Sequence, residues 1–521
     1  MSPDDNGYMN KKGSVRGLAE HRKALDFARR GKLQMALRLH AKACRLNPSQ
    51  PEFAKEHALC LLDTHYPSEA KREFRRSLDL SWGDPEVVLD VCIAIHALHL
   101  HALLLSFLEP RKDTLPDSVG YFYASSLARH ERADEAMDYL SSLGEEVRIR
   151  TPFLQVLWVQ LLLQHRSAVE AMLAADKVPM NTLVPKFQVS LLYARAHASH
   201  RVGEREKVFQ WLRQAKQINR SPSGTTAPQA AQRAKLLNRA VLNASVGAPP
   251  AMSGRGQGLA VLCGHPRSGT TLIEQMLDRH PAVSSVEEQS VFFDLVMTPL
   301  SASGRGDAQR AAGSIQHLGE TARDGYEQDY RAALQRYLPG GPEGQEAAGE
   351  TLFLDKYPDM SLALGTYHEL FPAGKMVVAL RDPRDVVLSC YFQDFPMNPG
   401  SLPYLDLKTT AEKYILTMEA WLETRDTLAS GFLETRYEDW VNEPDAEARR
   451  VLDFLSLPWD GRVLSRPERG LQRVVTSPTY HDVGKEIYRD AIGRWRDYQK
   501  QLQPVLPILE PICLRLGYGI E

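Results

Sequence analysis

At 521 residues the chain exceeds what a single hydrophobic core usually organises, so two or more domains are expected. Its apolar content of 43% is ordinary for a globular protein, and a formal net charge of −2 argues against bulk attraction to nucleic acid or anionic membranes. The six cysteines (Cys44, Cys60, Cys92, Cys263, Cys390 and Cys513) lack paired or C-x-x-C spacing, which speaks against a disulfide framework and for a reducing compartment.

Residues 1–18 read as a flexible terminus. Lys11, Lys12 and Arg16 are followed by no apolar run, so neither signal peptide nor anchor is expected, and the expected compartment is cytoplasmic. Over 19–218 a repeat emerges: LNPSQPE from Leu46 matches LSWGDPE from Leu80 at an offset of 34 residues, the tetratricopeptide period. Ala24, Ala58, Ala36, Ala70, Pro51 and Pro85 obey the same offset. Small residues recur twelve apart, at Ala24 and Ala36, Ala58 and Ala70, and Ala124 and Ala136, where paired helices would approach closely. About five or six stacked helix pairs are expected, an all-α solenoid in which no pair buries its apolar face alone. The apolar stretch 87–108 has about the length of a bilayer span but is broken by Asp90, His96, His99 and His101, so a place in the helical repeat is preferred. Those histidines have no cysteine or carboxylate partner nearby in sequence and are read as packed or exposed side chains rather than metal ligands.

Residues 219–258, rich in Ser, Pro, Ala, Gln and Gly around a helix predicted at 229–244, read as a connecting segment. Over 259–521, strands predicted at 259–263, 351–354, 376–380 and 432–436 alternate with helical periodicity, which predicts an α/β domain with a mainly parallel sheet flanked by helices. Glycine- and alanine-rich stretches at 301–313 and 339–349 read as loops.

The segment GHPRSGTTLIEQML from Gly264 joins the first of these strands to an amphipathic helix through a turn bearing glycines and hydroxyls. Such a turn lets the backbone approach an anion, and the N–H groups opening the helix point at it. Gly264 and Gly269 have the spacing of a nucleotide-binding P-loop, but Thr270 stands where its lysine belongs, and the cation is Arg267 inside the loop. A second strand end, Arg381-Asp382-Pro383-Arg384-Asp385, opens a helix with Asp382 as N-cap and Pro383 at its first position, bringing Arg381 and Ser389 within reach of each other. The blander reading of Arg381 is an ion pair with Asp385.

The Pro266-Arg267-Ser268-Gly269-Thr270-Thr271 run resembles the 5′-phosphosulfate loop of sulfotransferases that use 3′-phosphoadenosine-5′-phosphosulfate. It is closest in kind to the tyrosylprotein type and to bacterial proteins that place tetratricopeptide repeats before this P-loop-like domain. The resemblance implies that Arg267, Ser268, Gly269, Thr270 and Thr271 hold the 5′-phosphate, and that Arg381 and Ser389 grip the 3′-phosphate that ATP lacks. In HPAVSSVEEQ, from His280, it places the general base on Glu288, given partial burial near the acceptor; otherwise Glu287 and Glu288 would merely cap or solubilise the next helix. Lys356, in Asp355-Lys356-Tyr357-Pro358, would face the transferred group; alone it reads as a solvated pair with Asp355. Tyr437 would line the adenine side, and YRDAIGRW from Tyr488 would close the site through Tyr488 and Arg494, with Trp495 either part of that segment or core packing. Departures from the family pattern fall at Met360, where an asparagine is usual, at Gln393, where an arginine is usual, and at Lys485-Glu486.

The expected function is sulfuryl transfer from 3′-phosphoadenosine-5′-phosphosulfate to a hydroxyl of a peptide tyrosine, glycan or small molecule, or to an amine, without a metal. The alternatives are a repeat adaptor with a vestigial nucleotide domain and a P-loop kinase. The repeats could bind a peptide or protein partner, mediate homo-oligomerisation or act as a spacer. No nucleic acid partner is expected.

Overall fold

Hydrophobic runs with no polar interruption, such as Leu259 to Cys263, suit strands that are covered on both faces. In the computed structural model, which describes residues 16–220, 229–245, 254–338, 351–465 and 491–519, five strands form one parallel sheet. They are β1 (Leu259–Gly264), β2 (Val283–Glu287), β3 (Leu352–Lys356), β4 (Lys375–Leu380) and β5 (Phe432–Arg436), in the order β2-β3-β1-β4-β5. The sequence predicts four of them; β2, short and carrying two serines, is the one it does not.

Alternation along the strands divides the interior into two cores. Leu259, Val261 and Cys263 of β1 and Met376, Val378 and Leu380 of β4 face one, while Ala260, Leu262, Val377 and Ala379 face the other with Ile273, Met276 and Leu277. The same alternation separates Asp355 from Lys356. Asp355, only 1% exposed, accepts a hydrogen bond from the Tyr330 hydroxyl at 2.5 Å, and Lys356 points elsewhere, so they are not a solvated pair.

The described residues form two compact units that part between His130 and Glu131. In the first, helices Leu18–Arg29, Leu33–Leu46, Pro51–Asp63, Pro67–Ser81, Pro85–Ala97, His101–Leu108 and Asp117–Arg129 follow one another, with prolines opening three of them where a missing N–H costs nothing. Ala24, Ala36, Ala58, Ala70 and Ala124 are fully buried, as the close approach of helices requires. The 87–108 stretch is divided by a turn at His99, which adopts φ 57°, and no helix among the described residues is long and apolar enough to cross a membrane. His101 is buried, and burial lowers its pKa to about 2; His96 lies 3.1 Å from the Ser125 hydroxyl. These histidines pack against one another and against Tyr121 and Phe122.

The second unit contains the later helices and the sheet. Helices Pro185–Arg201, Arg205–Asn219 and Gln229–Ser245 contribute Val189, Leu192, Phe209, Leu212, Leu237 and Val241 to the core on one sheet face. Asn238, wholly buried, donates to the Thr424 hydroxyl at 3.0 Å and accepts the Gly365 N–H at 2.6 Å. The helix inside the 219–258 segment is thereby part of the α/β core, and spatial packing divides the chain at a different place from sequence periodicity. The all-helical amino-terminal region and the helix-flanked parallel sheet are both as the sequence predicts.

Burial pushes the Asp355 carboxyl up to about 7. A folded-state value above the unfolded one contributes stability at low pH that is lost as pH rises through the folded value. Asp355→Asn should therefore gain melting temperature relative to the wild type as pH is raised from about 4 to about 7, a trend that differential scanning calorimetry across that window would read.

Candidate active site

In the order β2-β3-β1-β4-β5 the chain leaves β1 toward one edge of the sheet and β4 toward the other, which opens a crevice at their carboxyl ends. Register fixes what lines it. Glu287 pairs with Lys356, Lys356 with Leu262, Gly264 with Ala379, and Leu380 with Arg436, so the residues after all five strands emerge along one edge.

The loop after β1 is shaped by two glycines. Gly264 adopts φ 148°, and a side chain there would strike the Ala379 carbonyl oxygen. Gly269, at φ 96°, is the N-cap of the helix Thr270–Leu277, and a Cβ on it would lie 2.7 Å from the Tyr437 ring. The first N–H groups of that helix have no intrahelical acceptor and open toward the crevice, with Ser268, Thr270 and Thr271 buried around them. Between the glycines, Arg267 is held at φ 74°, a costly conformation for a side-chain-bearing residue.

Arg267 is where the two predicted anion anchors meet. Its Nε donates to the Ser389 hydroxyl at 3.0 Å, and its carbonyl oxygen accepts from Arg381 Nη1 at 3.1 Å. Arg381, 5% exposed, also donates to the Ala491 carbonyl at 2.5 Å and lies 4.6 Å from the Tyr437 ring centroid. It does not pair with Asp385, whose carboxylate instead accepts the N–H groups of Gly493 and Trp495. Arg494 completes the group: burial first, then repulsion from Arg381 and from Arg267, lowers its pKa. The Nε atoms of both Arg381 and Arg494 are buried without a hydrogen-bond partner. Three guanidiniums at one crevice, two with unmet donors, are chemically suited to a multiply charged anion.

At the neighbouring strand ends the charge is reversed. Lys356 is fully buried, with Nζ 2.8 Å from Glu288 Oε1, 3.4 Å from Glu287 Oε1 and 3.4 Å from the Thr271 hydroxyl. Burial alone would lower its pKa, but Glu288, Glu274 and Glu287 outweigh it and the net shift is upward. Glu274, on the helix after the loop, is buried and accepts the Ser285 hydroxyl at 2.6 Å; burial raises its pKa. Glu288 lies at the mouth of the site with its side chain 35% exposed. Its backbone is held at φ 50° by an N–H to the Lys356 carbonyl at 2.7 Å.

The structure thus brings together Arg267, Ser268, Gly269, Thr270, Thr271, Arg381, Ser389, Tyr437 and Arg494 on one side, and Lys356 and Glu288 on the other. Tyr488 and the Lys485-Glu486 pair lie outside the described residues. Trp495 is core packing, 2% exposed, with its ring 4.0 Å from the Arg384 guanidinium. Met360 is buried, and Gln393 is only partly so, its side chain turned to the Asp394 carbonyl at 3.5 Å. Sequence reasoning missed Glu274; its signal was a carboxylate among the apolar positions of an otherwise buried helix. Among the described residues, Cys44, His57 and Glu73 bring three metal-ligating atoms within 4.8 Å of one another, but Arg45 and Arg76 line the same cavity and Arg76 already pairs with Glu73.

Residues 260–461 match the sulfotransferase family. That region belongs to it. An uncharacterised protein of Aquifex aeolicus (strain VF5) is 29% identical over 254 residues, 47% of this chain and 31% of that protein. Protein-tyrosine sulfotransferase A of Caenorhabditis elegans is 25% identical over 264 residues, 49% of this chain and 66% of that protein. The matched stretch therefore spans less than two thirds of either relative, and it relates the sulfotransferase domain to the tyrosylprotein type. Among solved structures, the sulfotransferase domain from the Synechococcus PCC 7002 olefin synthase is similar at 23% identity and a TM-score of 0.32, covering 48% of this chain and 90% of that one.

Lys356 is a buried counter-charge to Glu287, and removing it strands carboxylates in the interior. Lys356→Met should cost about 3 kcal/mol of unfolding free energy, read as a lower urea midpoint at unchanged slope.

Proposed function

We propose that the protein transfers a sulfuryl group from 3′-phosphoadenosine-5′-phosphosulfate to an acceptor hydroxyl or amine. The observation that carries this reading is the convergence of Arg381 and Ser389 on Arg267, beside the helix N-terminus and the unmet Nε atoms of Arg381 and Arg494. Loop N–H groups and Arg267 suit one phosphate; Arg381, Ser389 and Arg494 suit a second. Tyr437, beneath Arg381 and against Gly269, offers a flat surface for a purine.

The phosphosulfate anhydride supplies an SO₃ unit. A bond forms between the acceptor oxygen or nitrogen and sulfur as the bond from sulfur to the bridging phosphate oxygen breaks, and the acceptor proton passes to the Glu288 carboxylate. Negative charge left on the phosphate is met by Arg267, the helix N–H groups and Lys356, whose three carboxylate neighbours hold it in place as a charged donor. No metal is needed for this balance. The six cysteines, all free and buried, suit a cytoplasmic setting. Peptide tyrosine is the first acceptor to test, given the relationship to the tyrosylprotein type; glycans and small amines or alcohols follow.

Calorimetric titration of the full chain with 3′-phosphoadenosine-5′-phosphate should show binding stronger than that of ADP, weakened about ten-fold or more in Arg381→Ala and in Ser389→Ala. Equal affinity for ADP, or none for either ligand, would overturn the assignment. With an acceptor in hand, Glu288→Gln should lower kcat by about 10²-fold or more while leaving affinity for the bisphosphate near that of the wild type.

A further inference from the structure

Arg494 is brought to the crevice by a short segment, residues 491–498, that passes between two parts of the same compact unit. On one side stands the helix Pro383–Tyr391. The carboxylate of its Asp385, 1% exposed, accepts the Gly493 N–H at 2.7 Å through one oxygen and the Trp495 N–H at 2.8 Å through the other. These N–H groups flank Arg494, so a single carboxylate fixes the backbone on both sides of it. The residue before it is primed for this: Gly493 adopts φ 70°, a conformation strained for any side chain.

On the other side stands the helix pair Pro185–Arg201 and Arg205–Asn219. Arg205 Nη2 donates to Asp497 at 2.7 Å, while its Nη1 donates to the His200 carbonyl at 2.5 Å and lies 3.1 Å from His200 Nδ1. The same His200 nitrogen is 2.7 Å from the Tyr498 hydroxyl, and Tyr498 is fully buried against Phe209 and Phe392. Arg494 reaches back over the Phe392 ring at 5.2 Å.

This arrangement answers an electrostatic problem. A guanidinium beside two others is repelled from the crevice unless its backbone is held by something that does not depend on a ligand. Asp385 supplies both the holding contacts and a compensating charge, and the helix pair prevents the rest of the segment from swinging out.

We propose that Asp385 and Arg205 are positioning residues for Arg494, so that affinity for the bisphosphate depends on a side chain in the helical region as well as on the sheet edge. This rests on the sulfotransferase reading above. It gives the last helix pair a role in the site itself, separate from any partner that other helices bind.

The test is calorimetry of the full chain with 3′-phosphoadenosine-5′-phosphate, using Asp385→Asn, Arg205→Ala, Arg205→Lys and Arg494→Ala, and the first two each combined with Arg494→Ala. Asp385→Asn should weaken binding about ten-fold and Arg205→Ala about three-fold, with Arg205→Lys recovering most of the loss. Both effects should vanish when Arg494 is already alanine, which general destabilisation would not produce. Arg205 is partly exposed, so its variants are expected to fold, and melting temperatures measured alongside identify any that do not. Wild-type affinity in both single variants, or equal losses with and without Arg494, would overturn the inference while leaving the sulfotransferase reading intact. Absence of binding in the wild type would overturn both.

Discussion

Everything at the site depends on five parallel strands ending in register. Because β3 lies between β2 and β1, Lys356 is set beside Glu287 on one side and Leu262 on the other, and because β4 adjoins β1, Arg381 follows directly beside the loop that carries Arg267. A slip of one residue in any pair would turn these side chains to the opposite face. Two residues hold unfavourable positive φ values at this edge, Arg267 and Glu288, and each is anchored from another strand end, the Arg267 carbonyl by the Arg381 guanidinium and the Glu288 N–H by the Lys356 carbonyl. Strain concentrated in this way is sustained by the surrounding sheet.

The edge is polarised. Around β2 and β3, three carboxylates surround one buried ammonium; around β1 and β4, three guanidiniums gather with donors left unmet. In the first group the carboxylates outnumber the ammonium that they enclose. The second is complete only with an anion. A ligand carrying phosphates at one end and an electrophilic centre near the other fits such a gradient, and the Lys356–Glu288 pair stands where the two regions adjoin, since Lys356 also reaches Thr271 of the phosphate loop.

The later helices are bound to the α/β fold by specific contacts as well as by apolar packing. Lys216, 2% exposed, donates to the Tyr404 carbonyl at 2.7 Å and to the Tyr193 hydroxyl at 3.0 Å, and stands 4.6 Å from the Tyr391 ring. Burial lowers its pKa to about 7. Together with Arg205, it joins helices that sequence periodicity groups with the repeats to the core that supports the Ser389 helix, as Asn238 does for the helix of the connecting segment. Repeat period and cooperative packing are different properties, and here they part.

The sequence by itself determined the features that local chemistry dictates. The 34-residue offset marks helix pairs because each pair repeats the same turn and the same small residues. The loop at 264–271 and the start at Arg381-Asp382-Pro383 are legible because glycine, N-cap and proline preferences act over a few residues, and the resemblance to sulfotransferases rests on those same runs. What only the tertiary structure decided is set by partners far apart in the chain. The short strand β2 gains its place from pairing with β3. Lys356 is charged and buried because Glu274, Glu287 and Glu288 arrive from another strand and helix. Asp385 is a backbone anchor rather than a partner for Arg381, because the 491–498 segment returns to it over more than a hundred residues, as the 108 and 110 separations of its two contacts record. Charge compensation and strand register are long-range properties, and no local pattern carries them.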